Sequence, residues 1–192
     1  MTAFKELYQH CQTLQPKVST KEIKRKAVEI TGSKNVREVK DALDTETLRG
    51  YFISASNTDS WIVQKYDCNV VVLARGMNDC WDRFILAKEL MHLFDAPDVA
   101  TRDPEQFRVL LGEFEALDPS KERTAQFVSE LNGFWMALAC LCPEKYRLEF
   151  IEQFNKGHID HYGIALKLKI PEQHVRQLFR PNYTDIIASL LR

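Results

Sequence analysis

Residues 83–93 read Arg83-Phe84-Ile85-Leu86-Ala87-Lys88-Glu89-Leu90-Met91-His92-Leu93, and their reading decides the fold. Phe84, Ala87, Met91 and Phe94 recur at steps of three and four residues, the spacing of one helical face, and the run ends before Pro97. Lys88 and Glu89 interrupt it near its middle. His92 follows Lys88 by four positions, so a helix sets both side chains on one face, a turn apart. Taken by itself, the segment is an amphipathic helix carrying two surface charges and a partly buried histidine.

Before this helix, short runs rich in Ile, Val, Tyr, Phe and Trp predict strands over 48–54, 60–65 and 69–74. The connections at 55–59 and 66–68 are short enough to join antiparallel neighbours, which predicts a three-stranded antiparallel meander. Val70-Val71-Val72-Leu73 is the most continuously apolar run and is expected to be the best buried. Further towards the N-terminus, Phe4, Leu7, Tyr8 and Cys11 predict a first helix. Ser19 or Thr20 caps a second, with Ile23, Ala27 and Ile30 inward and Gly32 at its end. A third short helix is expected over Val36 to Leu43. The basic run Lys21, Lys24, Arg25 and Lys26 reads as a solvated face.

Beyond the central helix, residues 95–120 read as an insertion with a helix start at Asp103-Pro104 and an apolar stripe of Phe107, Leu110, Leu111 and Phe114. Pro119-Ser120 opens a longer helix with Phe127, Val128, Leu131, Phe134, Trp135 and Leu138 facing inward. Pro143 starts another, with Tyr146, Phe150 and Phe154, and Gly157 stops it. Tyr162 to Leu168 and Pro171 to Arg180 form a helix pair before a short tail beginning at Pro181. That pair resembles a helix-turn-helix in which the usual turn glycine is Lys169, and its second helix exposes Gln173, Arg176 and Gln177. The division expected is an N-terminal helical segment over 1–45, a core over 46–157 and a C-terminal helix pair over 158–192.

The bulk numbers suit such a domain. Of 192 residues, 45% are hydrophobic and 28% charged, and the net charge of -1 creates no field to hold the whole protein on nucleic acid or anionic lipid. No apolar run reaches the length of a membrane span, and the polar-punctuated N-terminus is not a signal peptide. Five cysteines without a C-x-x-C pair read as reduced thiols, which points to a cytoplasmic protein.

The central stretch resembles the active-site helix of the ImmA/IrrE metallo-endopeptidases, written R-F-T-L-A-H-E-L-G-H-L. Arg83, Phe84, Leu86, Ala87, Glu89, Leu90, His92 and Leu93 match it. Residues 121–131, with Phe127 and Leu131 anchoring the register, resemble that family's second helix, E-x-E-A-N/D-x-F-A-A-x-L. The resemblance covers roughly residues 45–145 and implies an α+β, zincin-like core. In the intact motif, two histidines one turn apart and a glutamate from the second helix hold Zn²⁺, and the glutamate after the first histidine activates a zinc-bound water.

Here the first ligand position is Lys88 and the position matching the third ligand is Lys121, both cations without a lone pair near neutral pH. His92 remains, with Glu89 as a vestigial general base. Glu122 enters the cleft only with a shifted register, so His92 and Glu122 are the residues left for any metal. By resemblance, the expectation is a pseudoenzyme without cofactor that regulates transcription by binding a protein, such as a helix-turn-helix repressor of a phage, mobile element or stress response. Its peptide-binding edge is expected at the third strand, 69–74. Two alternatives stand beside this. One is a zinc endopeptidase with unmatched ligands, including a Cys/His site built from His92 with Cys68 or Cys80. The other is a DNA-binding regulator acting through the C-terminal pair. His158, Asp160 and His161 read as capping and surface residues rather than a metal site.

Overall fold

The computed structural model describes residues 2–96 and 124–192. The helix start at Asp103-Pro104, the stripe from Phe107 to Phe114, and Lys121 and Glu122 lie outside the described residues. The remainder forms an α+β fold. In chain order it contains α1 (Ala3–Gln12), α2 (Thr20–Thr31), β1 (Val36–Asp41), β2 (Gly50–Ile53), α3 (Trp61–Tyr66), β3 (Asn69–Ala74) and α4 (Asp79–Leu90), which runs into a 3-10 turn over Met91–Phe94. After the undescribed segment come α5 (Ala125–Leu141), α6 (Glu144–Asn155), α7 (His161–Leu168), α8 (Glu172–Val175) with a 3-10 turn over Arg176–Phe179, and α9 (Tyr183–Leu190).

The sheet order is β1-β3-β2. β3 pairs antiparallel with β2 but parallel with β1, so the sheet is mixed and not the antiparallel meander expected. Two segments differ from expectation for one reason, the way residues distribute between faces. Val36 and Val39, three apart, read as one helical face. In β1 they lie on opposite faces, Val36 against the main core and Val39 against the smaller one. Ile62 and Val63, expected in a strand, are adjacent and both buried on the same side, which a helix permits and an alternating strand does not. Ser60 is the N-cap and Asp67 the left-handed C-cap of the resulting α3.

Every residue of β3 is buried. Val70 and Val72 meet α3, while Val71 and Leu73 face α4, so the central strand is the floor shared by two cores. Being paired on both sides, β3 has no free edge, and the peptide-binding edge assigned to it from the sequence does not exist. β2 is pinned close to α4. A Cβ at Gly50 would stand 2.6 Å from Ile85 Cγ2 and 2.8 Å from the Val72 carbonyl oxygen, so this position tolerates only glycine.

The main core gathers Leu7 and Cys11 of α1, Ile23 of α2, Phe84 to Met91 around α4, Trp135 to Leu141 of α5 and Ile187 of α9. On α5, Val128 and Leu131 are exposed rather than inward, at 43% and 45%. The chain from Pro181 onwards is no loose tail. Tyr183 and Ile187 of α9 are buried, and Arg147 lies beneath Tyr183, with its guanidinium 4.4 Å from the ring centroid. Arg147 also donates to the Leu178 carbonyl (2.8 Å) and forms a two-pronged pair with Glu144. No helix among the described residues is long and apolar enough to cross a membrane.

Arg83 ties three segments together. It donates to the carbonyls of Val18 (2.8 Å), Lys169 (3.2 Å) and Leu168 (3.5 Å), joining the α1–α2 connection and the end of α7 to α4. Lys169 adopts the left-handed conformation (φ 55) that its turn requires, despite its side chain, and Arg83 holds its carbonyl there. Arg83→Ala is expected to lower stability by about 2–3 kcal/mol, because it strands half-buried carbonyls that a charged donor now satisfies. A urea midpoint that falls with an unchanged m-value would show this, and an unmoved midpoint would contradict it.

Candidate functional site: a buried charge cluster between α4 and α5

The site is built where α4 tightens into its 3-10 turn and α5 crosses it. Lys88 and Glu89 sit in the last turn of α4, His92 lies in the 3-10 turn with Asp95 just past it, and Ser129 and Glu130 come from the first turns of α5. Phe52 of β2 closes one side, its ring stacked on the His92 imidazole with centroids 6.0 Å apart.

The Lys88 ammonium donates to Glu89 Oε1 (2.8 Å) and to Glu130 Oε2. His92 approaches the other oxygens of the same two carboxylates, with Nε2 3.5 Å from Glu89 Oε2 and 3.4 Å from Glu130 Oε1. Its Nδ1 donates to Asp95 Oδ2 (2.7 Å), which also accepts from Ser129 Oγ (2.6 Å). Two carboxylates thus bridge one ammonium and one imidazole. Little of this meets water: the side chains of Glu89, His92 and Lys88 are 2%, 13% and 17% exposed.

Electrostatics follow from that burial. Around Lys88, burial works against the charge, but Glu89 and Glu130 more than offset it and hold the ammonium above the usual lysine value. Burial likewise opposes the imidazolium of His92, yet the hydrogen bonds to Asp95 and Glu130 and the charge of Glu89 raise it to about 10. Glu130 is held well below the ordinary carboxylate range: burial resists ionisation, and Lys88 and His92 overcome it. Glu89 goes the other way. Its burial is the most complete, Glu130 is a like charge beside it, and its carboxyl is raised.

The sign of the pH dependence is set by these directions. His92 lies above its ordinary 6.5, so its protonated form adds stability that is fully present below that value and lost as pH rises through about 10. Glu130 acts oppositely, adding stability above its ordinary 4.5 that is lost as pH falls. Stability is therefore expected to decline between pH 6.5 and 10, by on the order of a few kcal/mol. His92→Gln should flatten that alkaline limb. Urea midpoints measured across this range test it, and a wild type of constant stability would contradict it.

The sequence brings Lys88, Glu89 and His92 to this place. Lys121 and Glu122 lie outside the described residues. The acidic member on α5 is Glu130, which the motif register passed over. Glu130 stands three after Phe127 and four before Phe134, so an acid on that apolar stripe was the available signal. Asp95 and Ser129 carried no signal in the sequence.

The remaining candidates lie elsewhere. Cys68 belongs to the small core on the α3 side of the sheet, and Cys80 lies in the first turn of α4; all five cysteines are free thiols. Asp160 caps α7 by accepting from Gly163 N (2.7 Å), and the His161 ring stacks on Phe154. In the C-terminal pair, Gln173 and Arg176 are exposed and Gln177 is half-buried. The second member is only four residues of α-helix followed by a 3-10 turn, shorter than the continuous helix expected over 171–180. His174, unremarked in the sequence, packs between Trp81, Phe84 and Phe134. Burial, with Arg49 nearby, lowers it to about 4, so it is a neutral core group.

Among the described residues the donor set does not fit zinc. A metal needs lone pairs from three protein ligands, and here the space between Glu89 and Glu130 is taken by an ammonium, while His92 Nδ1 is bonded to Asp95. Among the described residues, no group of three His, Cys, Asp or Glu side chains is arranged to hold a metal ion. Compared with known proteins, the chain matches no family model, no curated protein and no solved structure.

Proposed function

We propose that this chain is a metallopeptidase-fold protein of the ImmA/IrrE kind in which the Lys88 ammonium takes the place of the catalytic cation, and that it binds a regulatory protein without cleaving it. One observation carries the reading: Lys88 Nζ is held between Glu89 and Glu130, with His92 against the same two carboxylates. Glu89 and His92 keep the residue types and positions of the resembled motif, Lys88 stands at its first ligand position, and Glu130, from outside the motif register, supplies the acid on the second helix. A carboxylate already engaged by an ammonium and an imidazole is a poor base for a hydrolytic water, which supports binding without cleavage. Beside the cluster runs β2, an edge strand whose Phe52 stacks on His92, and a free strand edge suits an extended segment of a partner.

By the same resemblance, the partner is a helix-turn-helix repressor of a mobile element or stress response. The test is to mix the purified chain with such a repressor encoded near it, with and without added zinc. A complex by size-exclusion chromatography and an intact repressor by mass spectrometry are expected. Zinc-dependent cleavage of the repressor, or no complex with it, would overturn the proposal.

A further inference from the structure

The opposite edge of the sheet has its own geometry, independent of the charge cluster. β1 is an edge strand, bonded to β3 alone. The carbonyls of Asn35 and Asp41 accept from Asn69 N (2.9 Å) and Arg75 N (2.8 Å), so the strand's period of two turns the backbone of Val36, Glu38 and Lys40 outwards. Some of these outward groups are taken: Val36 N donates to Asn35 Oδ1 (2.8 Å), and Arg75 Nε donates to the Lys40 carbonyl (3.3 Å). Among the described residues, the N–H and carbonyl of Glu38, the carbonyl of Val36 and the N–H of Lys40 have no partner.

This stretch of edge lines an open groove of about 670 Å³, walled by Lys24 of α2 on one side and by Tyr66 and Asp67 at the end of α3 on the other. Its charge is unbalanced. Lys24 pairs with Glu38 (2.5 Å) and Lys34 with Asp67, which uses both carboxylates of the lining. Arg37 has no carboxylate among the described residues. Its guanidinium carbon lies over the Tyr66 ring, 3.9 Å from the centroid, and the Lys65 ammonium is 5.2 Å from the same centroid. The contact with Tyr66 leaves the guanidinium nitrogens without a carboxylate among the described residues, and a guanidinium can receive one from two nitrogens. On a chain of net charge -1, the lining carries one cation in excess, Arg37, beside unpaired strand backbone, and Lys65 adds a second against the Tyr66 ring.

We infer that the β1 edge is a second docking site, which takes an extended acidic peptide segment as an added strand, with its carboxylates on Arg37 and Lys65. Main-chain hydrogen bonds to Glu38 and Lys40 would supply the pairing, and the two cations the preference for acidic side chains.

The test uses the full chain and a short fluorescein-labelled peptide of alternating Glu and Val, read by fluorescence anisotropy. Saturable binding is expected, weakened roughly tenfold or more by Arg37→Glu. The same peptide N-methylated at alternate backbone amides should lose binding to the unaltered protein, a comparison that needs no variant to fold. Amide exchange should slow at Glu38 and Lys40 when the peptide is present. Binding indifferent to N-methylation and to Arg37→Glu would overturn the site. So would preference for a single-stranded oligothymidylate that displaces the peptide. Phe52→Leu, at the other edge of the sheet, should leave this binding unchanged, so its failure and a failure of the proposed function are separable.

Discussion

Lys88→Met is expected to destabilise the protein by about 3–5 kcal/mol, the largest loss of any single replacement in the site. Methionine preserves much of the side-chain volume, so the loss is not that of a cavity. It comes from leaving Glu89 and Glu130, now bridged by the ammonium, facing each other in a place that water barely reaches. The pH dependence separates this cause from a packing defect. Without Lys88, the two carboxyls are pushed to take up a proton, so the gap between variant and wild type should narrow as pH falls from 7 towards about 5. Adding Glu130→Gln should recover part of the loss. A destabilisation under 1 kcal/mol at neutral pH, measured by urea unfolding, would mean that the ammonium is not what balances these groups.

The second large effect is a gain. Lys88→His removes the fixed cation and sets an imidazole one turn from His92, beside Glu130, with Glu89 next in sequence. That variant is expected to bind Zn²⁺ at one equivalent, where the wild type does not, because a neutral donor replaces the charge that bars the metal. At zinc concentrations a hundredfold above Kd, the bound metal would add about 2.7 kcal/mol of stability. A zinc-dependent rise in Tm in the variant alone is the expected result. The 3-10 winding of Met91–Phe94 makes this demanding, since it turns His92 away from the direction a continued α-helix would give. A variant indifferent to zinc would show that the backbone here no longer suits a metal.

The helices were legible where caps and periodicity agreed. Gly32 ends α2 in the left-handed conformation, as expected, whereas the Asn78 cap of α4, which accepts from Cys80 N and Trp81 N, was not read from the sequence. β3 was legible because an unbroken Val-rich run has few other places to go. Sheet order was not. The parallel β1–β3 pairing joins strands separated by β2 and α3, and no local signal states which strand becomes the middle one. The site was half legible. Lys88, Glu89 and His92 lie within one turn, so their proximity follows from helical spacing. Glu130 reaches them only through the packing of α5 on α4, which motif register does not encode. The basic run on α2 behaves as its composition suggests, with Arg25 held by Glu22 and Glu29, and Lys26 by Glu6 and Glu29.

The central claim is that an ammonium, not a metal, is the cation of this site. The most direct measurement is the zinc content of the wild-type protein, purified without chelator or metal-affinity tag, followed by its Tm before and after chelation. The account predicts far less than one zinc per chain and an unchanged Tm, with Lys88→His as the positive control. One equivalent of zinc in the wild type, released by chelator with a fall in Tm, would contradict it.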